Sequence, residues 1–193
     1  SSKISGRSGV SAEAARVLFV PTADETIFNT FLILLVNALG TTTESATAEW
    51  FINRWILKNN FGNSQMEART DGVLRTKEGN DGVVAIVEVK THVRKQNSDT
   101  ITMQETTQLV LWIAKAGFPL PSERWLLSIF ILLSQDRHEV YITIPSYDAD
   151  YIKFLKGEAD ANTPRSYLKL MTYGPWDINA KNHLQHLCRT LLA

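Results

Sequence analysis

The chain is nearly devoid of cysteine: Cys188 is the single one among 193 residues. An internal disulfide and a cysteine-built zinc site are both excluded. A reducing, intracellular setting is the plain expectation, nucleus or cytoplasm, and no Asn-x-Ser/Thr sequon argues otherwise. Neither sign of charge dominates, with 20 Lys and Arg against 20 Asp and Glu. That excludes a polybasic histone-like binder and an acidic tail protein. Taken alone it also counts against nucleic acid, because phosphate binders tend to be basic. Long apolar runs are missing as well. The longest, Ile27 to Leu39, is interrupted by Asn29, Thr30 and Asn37 and falls short of the roughly 20 residues that span a membrane. No membrane partner is expected. Gly-x-Gly-x-x-Gly, Gly-Lys-Ser/Thr and Gly-x-Ser-x-Gly are all absent, which leaves nucleotide-binding loops and serine-hydrolase elbows without support.

What is present is an ordinary globular composition, 44% hydrophobic and 21% charged. A chain of this length can bury roughly 70% of its unfolded surface without staples. Residues 1–20 read as a flexible polar arm, and residues 21–193 as one domain. Ile27 to Leu39 reads as a buried helix, capped by Asp24 and ended by Gly40. Thr41-x-x-Glu44 has capping-box spacing, and Trp50, Phe51, Trp55 and Ile56 then predict a second helix down to about Asn59. Gln65 to Thr76 reads as one bent strand, or two joined at Asp71-Gly72. A polar loop over 77–82 makes a hairpin with a strand from Val83 to Val93. A helix over 102–116 follows, then strands over 124–134 and 139–144, the last ended by Pro145. The tail reads as a short helix near 148–156, a break at Gly174-Pro175, and a final helix capped by Asp177 with Leu184, Leu187, Cys188 and Leu191 along one side. The fold class is α/β with mixed strand directions, N-terminal helices and a C-terminal helical extension.

One stretch carries chemistry. Up to Val87 the strand is apolar on both faces. From Glu88 on it alternates, with Glu88, Lys90, His92 and Arg94 sharing one face. A carboxylate at the end of a buried strand is costly unless paired or metal-bound. The hairpin returns Asp71 toward Glu88, and Gly72 beside it permits a bend or a close approach. Two carboxylates and a lysine at a sheet edge suit a hard divalent cation such as Mg²⁺. The following helix adds Gln104 and Gln108 on one face, with Glu105 one step round. Amides of this kind can touch water, phosphate or bases without adding charge.

Asp71-Gly72, sixteen residues between Asp71 and Glu88-Val89-Lys90, and then Gln104-Glu105-x-x-Gln108 together resemble the PD-(D/E)xK nuclease superfamily, and more narrowly its fungal nuclease-like domains. The resemblance is concentrated in residues 66–113 and extends more loosely over 44–193. It implies a restriction-endonuclease-like αβββαβ core. It also implies Mg²⁺, replaceable by Mn²⁺, held by Asp71, Glu88 and the Val89 carbonyl. Lys90 would serve the attacking water, and Gln104 and Gln108 would line the site. His92 and Arg94 would reach phosphate, and Glu49 would stand where some members carry a further acid. Thr70 stands where the family name has proline. The implied activity is hydrolysis of phosphodiester bonds, in DNA first and RNA second. The alternative is a nuclease-fold domain that no longer cuts and binds nucleic acid or protein instead.

Blander readings compete. Glu88 and Lys90 could form only a surface ion pair, worth under about 1 kcal/mol. Glu67 with Arg69 reads as a structural pair. His183-x-x-His186 beside Cys188 reads as a plain helix face rather than a zinc site. The five tryptophans read as core. Oligomeric state leaves no trace, and a homodimer stays open. Charge counted locally softens the opening objection. From Gln65 to Lys95, six cations face five anions, and a bound divalent ion would make that stretch clearly positive.

Overall fold

The computed structural model describes residues 25–42, 47–76, 82–119 and 130–192. The expected Asp24 cap, the hairpin tip, the first part of the 124–134 strand, Trp125 and the N-terminal arm lie outside the described residues.

Helix α1 spans Glu25–Gly40 and buries Leu32, Ile33 and Val36, while Ile27, Phe31 and Leu34 face outward. It is therefore buried along one stripe only. Among the described residues no helix is long and apolar enough to cross a membrane. Strand β1 (Ala48–Phe51) follows. It leads to a hairpin of β2 (Ile56–Phe61) and β3 (Ser64–Arg69). Over 47–59 the expected helix is not formed, and Glu44 of its capping box lies outside the described residues. Its four large apolar residues also fit two short strands, and aromatic and β-branched side chains favour that state. Thr41 and Thr42 donate their hydroxyls back to Ala38 and Leu39 carbonyls at the end of α1 instead of starting a new helix. The Asn37 side chain then grips Trp50 twice, accepting from its N–H at 3.1 Å and donating to its carbonyl at 3.0 Å. That amide fixes β1 beside α1.

Strands β4 (Gly72–Thr76) and β5 (Val83–Lys90) pair antiparallel, as the hairpin reading expects. Helix α2 (Ser98–Lys115) connects β5 to β6 (Ile131–Asp136), and these two strands run parallel. After a turn at Arg137 and His138 comes β7 (Glu139–Ser146), followed by α3 (Ala149–Lys156), β8 (Lys169–Asp177) and α4 (Lys181–Leu192). The main sheet has the order β1-β4-β5-β6-β7-β8. The result is α/β with a mixed six-stranded sheet.

Several boundaries differ from the sequence reading. β5 stops at Lys90 rather than Val93, and a 3₁₀ turn over Arg94–Gln96 follows. β6 continues through Gln135 and Asp136, because polar residues there find partners within the fold. β7 passes through Pro145, which faces only β8 in register, beyond the end of β6. Gly174-Pro175, expected to break the chain, lies inside β8 as a cis peptide. Glycine is required there: its φ is 120°, and a Cβ would stand 2.7 Å from the Val140 carbonyl oxygen. Asp177 closes β8 instead of capping α4. Its carboxylate accepts from Asn179 N–H, and the helix begins four residues later.

The sheet is covered on both faces. One core joins Ile86, Val73 and Leu132 to α2, α3 and the β2–β3 hairpin, with Trp112 edge-on to Trp55 and Phe130. The other joins Val87, Val89, Leu133, Val140 and Trp176 to α1 and α4. Each such buried side chain contributes about 1.5–3 kcal/mol. The described tryptophans are accordingly packed in or against these cores. On α4 both histidine rings serve as local acceptors: His183 Nδ1 takes the Asp177 N–H and His186 Nδ1 takes the Trp176 indole N–H.

Candidate functional site

Strand alternation decides which side chains meet. Glu88 and Lys90 lie on the face of β5 that α2 covers, while Val87 and Val89 lie on the opposite one. The β4 register puts Gly72 opposite Val87, so Asp71 stands one place on, beside Glu88. Gly72 is needed for the approach of β1 and α1, since a Cβ there would meet the Phe51 carbonyl oxygen at 2.8 Å and Ile33 at 3.0 Å. Thr70, at the position of the motif proline, is fully buried and doubly paired with Trp55. Its N–H donates to the Trp55 carbonyl at 3.1 Å and its hydroxyl accepts the Trp55 N–H at 3.2 Å. Proline could supply neither bond.

Asp71 is held from three sides. Its N–H donates to Val87 O at 2.9 Å, its carbonyl accepts from Asn29 at 2.8 Å, and its Oδ2 accepts the Val89 N–H at 3.0 Å. Arg54 lies 3.7 Å from its other oxygen. In an extended strand the N–H and C=O of one residue point to the same edge. The Val89 carbonyl therefore faces the Asp71 side of β5, where the β4 ladder has ended.

Glu88 is 1% exposed. Lys90 Nζ and Gln104 Nε2 both donate to its Oε1, and Gln108 Nε2 donates to Oε2 and to the Arg69 carbonyl. Burial pushes its pKa up to about 7, Asp71 pushes the same way, and Lys90 and Gln108 oppose. For Lys90 burial acts downward, but the Glu88 carboxylate outweighs it, so the ammonium is held above its ordinary value. Glu25, at the start of α1, adds to that attraction. The pair is thus an enclosed one and not a surface ion pair. Gln108 commits its amide N–H₂ group to Glu88 and to the Arg69 carbonyl.

Three of the expected site residues fall elsewhere. Glu49 lies on β1, exposed, opposite Arg75, about four residues or 13 Å along the sheet from Asp71. Among the described residues before the strands, the acid whose charge reaches Lys90 is Glu25, exposed at the start of α1. His92 lies past the end of β5, exposed, in contact with the Thr91 hydroxyl at 3.0 Å. Arg94 turns inward. Its guanidinium donates to Asp136 at 2.7 Å, to both oxygens of Glu105, and to Ser134 at 3.0 Å, and it lies 4.2 Å from the Tyr141 ring centre. With those donors committed, it is a structural centre rather than a phosphate contact. Burial raises Asp136 to about 6 against the pull of Arg94. This cluster went unread because Arg94, Glu105 and Asp136 come together only through the parallel pairing of β5 and β6 under α2.

Among the described residues no group of three or more His, Cys, Asp or Glu side chains is arranged to hold a metal. The donors at the strand end are two carboxylates and one carbonyl, oxygen ligands of the kind a hard divalent ion takes with water completing its shell. They carry one negative charge in excess of Lys90. Fold and site together define a mixed-sheet α/β protein with a paired-carboxylate centre at the end of β5. No protein-family model, curated protein or solved structure matches the chain.

Proposed function

We propose that the chain is a Mg²⁺-dependent phosphodiesterase of the PD-(D/E)xK type, acting on DNA, with RNA as the second substrate. The observation that carries this reading is Glu88, a carboxylate buried at a strand end among Lys90, Gln104 and Gln108, with Asp71 near enough to raise its pKa. A perturbed acid in such surroundings is the usual mark of a working site. The order of α1, β1, β4, β5, α2 and β6 supports the αβββαβ core that the motif implies, with the β2–β3 hairpin as an excursion.

In this reading Asp71, Glu88 and the Val89 carbonyl would hold Mg²⁺ or Mn²⁺. The ion would polarise the scissile phosphate and lower the pKa of its bound water. Lys90 places an ammonium beside the two carboxylates, where it can orient water or neutralise phosphate. Gln104 and Gln108 fix the direction of the Glu88 carboxylate. Asp71 hangs from the Val89 N–H, which keeps the two acids together.

The test is cleavage of linear duplex DNA, single-stranded DNA and RNA in Mg²⁺ or Mn²⁺ by the wild type, Glu88→Gln and Lys90→Ala. Cleavage is expected to fall by at least about a hundredfold in both variants while the far-UV spectrum is unchanged. Wild-type rates in either variant would overturn the mechanism.

A second reading rests on a specific observation. Both Glu88 oxygens are already engaged by the protein's own donors, as suits a nuclease-fold module that binds nucleic acid or protein without cutting. Calorimetric titration with Mn²⁺ separates the two. No metal-dependent heat, together with intact partner binding, favours the module.

A further inference from the structure

Away from Asp71 and Glu88, the segment between α3 and β8 lies against α2 and α3 and borders a half-open cavity of about 750 Å³. That volume lies within the roughly 300–1,000 Å³ of small-molecule sites. Three aromatic rings line it. Tyr151 is buried, while Phe154 and Tyr167 are 64% and 67% exposed. Large rings left this open at a cavity wall offer flat faces to a planar ligand. A smaller cavity of about 270 Å³ shares Arg165, Ser166 and Tyr167 with the first and adds Lys169. Aromatic faces thus pass directly into a pair of cations.

The acids nearby are committed to structure. Asp160 accepts from Thr163 Oγ1 at 2.8 Å and from Asn162 N–H at 2.9 Å. Asp148 caps α3 through Tyr151 N–H at 2.9 Å and accepts the Ser166 hydroxyl at 2.6 Å. Asp148 also attracts Lys169, so the smaller cavity keeps one positive charge in excess, centred on Arg165. Arginine both stacks on planar rings and binds phosphate in two-point fashion.

We propose that these joined cavities bind a nucleotide unit, its base against Tyr167 and Phe154 and its phosphate at Arg165 and Lys169. The unit comes either from a free nucleotide or from one link of a single strand. No residue of the carboxylate centre lines either cavity.

The test is calorimetric titration of the whole chain in metal-free, low-salt buffer with adenosine monophosphate, adenosine, inorganic phosphate and a single-stranded deoxyadenylate octamer. Saturable binding of the monophosphate is expected. Tyr167→Ala should weaken the monophosphate and adenosine alike by roughly fivefold or more. Arg165→Gln should weaken the monophosphate and leave adenosine unchanged. An octamer that binds more tightly than the monophosphate assigns the site to polynucleotide, and the reverse assigns it to free nucleotide. No saturation by about 10 mM monophosphate, a Kd still weaker than that of the poorest specific sites, would overturn the proposal. So would equal binding by phosphate alone, equal binding by adenosine alone, or indifference to both variants. Both substituted side chains are exposed, and a matching thermal melt verifies that each variant is folded. Because the titration omits metal, failure here leaves the phosphodiesterase reading untouched, and failure to cleave leaves this site untouched.

Discussion

Burying Glu88 should make the protein less stable as pH rises through neutrality, against the common trend for carboxylates. Its pKa is lifted from an ordinary 4.5 to about 7. Between those values the folded state holds a proton that the unfolded chain has released. The stabilisation is fully present below the unfolded pKa and is lost as pH climbs through about 7. A shift of about 2.5 units at about 1.36 kcal/mol each corresponds to ~3 kcal/mol. Asp136, raised from 3.8 to about 6, adds to the same slope. The perturbation is Glu88→Gln, which keeps the side-chain volume and an oxygen for Lys90 but cannot titrate. Urea unfolding followed by tryptophan fluorescence at pH 5, 6, 7 and 8 gives the assay. The wild-type free energy should fall with pH by up to about 1.4 kcal/mol per unit more than that of Glu88→Gln, with the two slopes becoming equal above pH 8. Parallel pH profiles for the two proteins would refute the reasoning. A divalent ion that binds the ionised pair should restore wild-type stability at pH 8 by about 2.7 kcal/mol at a hundredfold excess over its Kd, and do little at pH 5.

Replacing Arg94 by methionine strands Glu105 and Asp136 beside each other in the interior, and should cost about 3–5 kcal/mol, read as a lower urea midpoint. The loss should shrink at pH 5, where Asp136 can take up a proton. Gly72→Ala forces a Cβ onto the Phe51 carbonyl oxygen and should cost about 1–3 kcal/mol. A thermal midpoint unchanged from wild type would show that β1 can shift without penalty.

The acid, base and amides of the centre were legible because period-two and period-3.6 spacing report directly on which side chains share a face. Glu88 with Lys90, and Gln104 with Gln108, are pairs of that kind, and the hairpin needed only a polar loop to bring in Asp71. The Asp71-Gly72 join, α2, α3 and the buried side of α4 were readable for the same reason. The segment 48–61 was not. Trp50, Phe51, Trp55 and Ile56 satisfy a helical count and two short strands equally, and the deciding contact, Asn37 on Trp50, is tertiary. Glu49 was misplaced as a consequence, and the charge that reaches Lys90 from before the strands is that of Glu25. Arg94 was misread because alternation was carried past Lys90, where the strand has already ended. Strand β8 was hidden by Gly174-Pro175, a pair that ordinarily stops a strand and is accommodated here by the left-open φ of the glycine.

Helix α2 lies between the main sheet and the β2–β3 hairpin, so Leu109 through Ala114 are buried all round the helix. Around the centre exposure differs from one side chain to the next: that of Arg54 is 66% exposed, Lys90 20%, Asp71 14% and Glu88 2%. The two cations are more open to solvent than the two carboxylates, and the exposed Glu25 adds an acid whose charge reaches Lys90. The exposed rim of the centre thus carries both signs, while its innermost group is an acid. Added salt should therefore screen charges approaching that rim and leave the enclosed Glu88–Lys90 pair largely untouched.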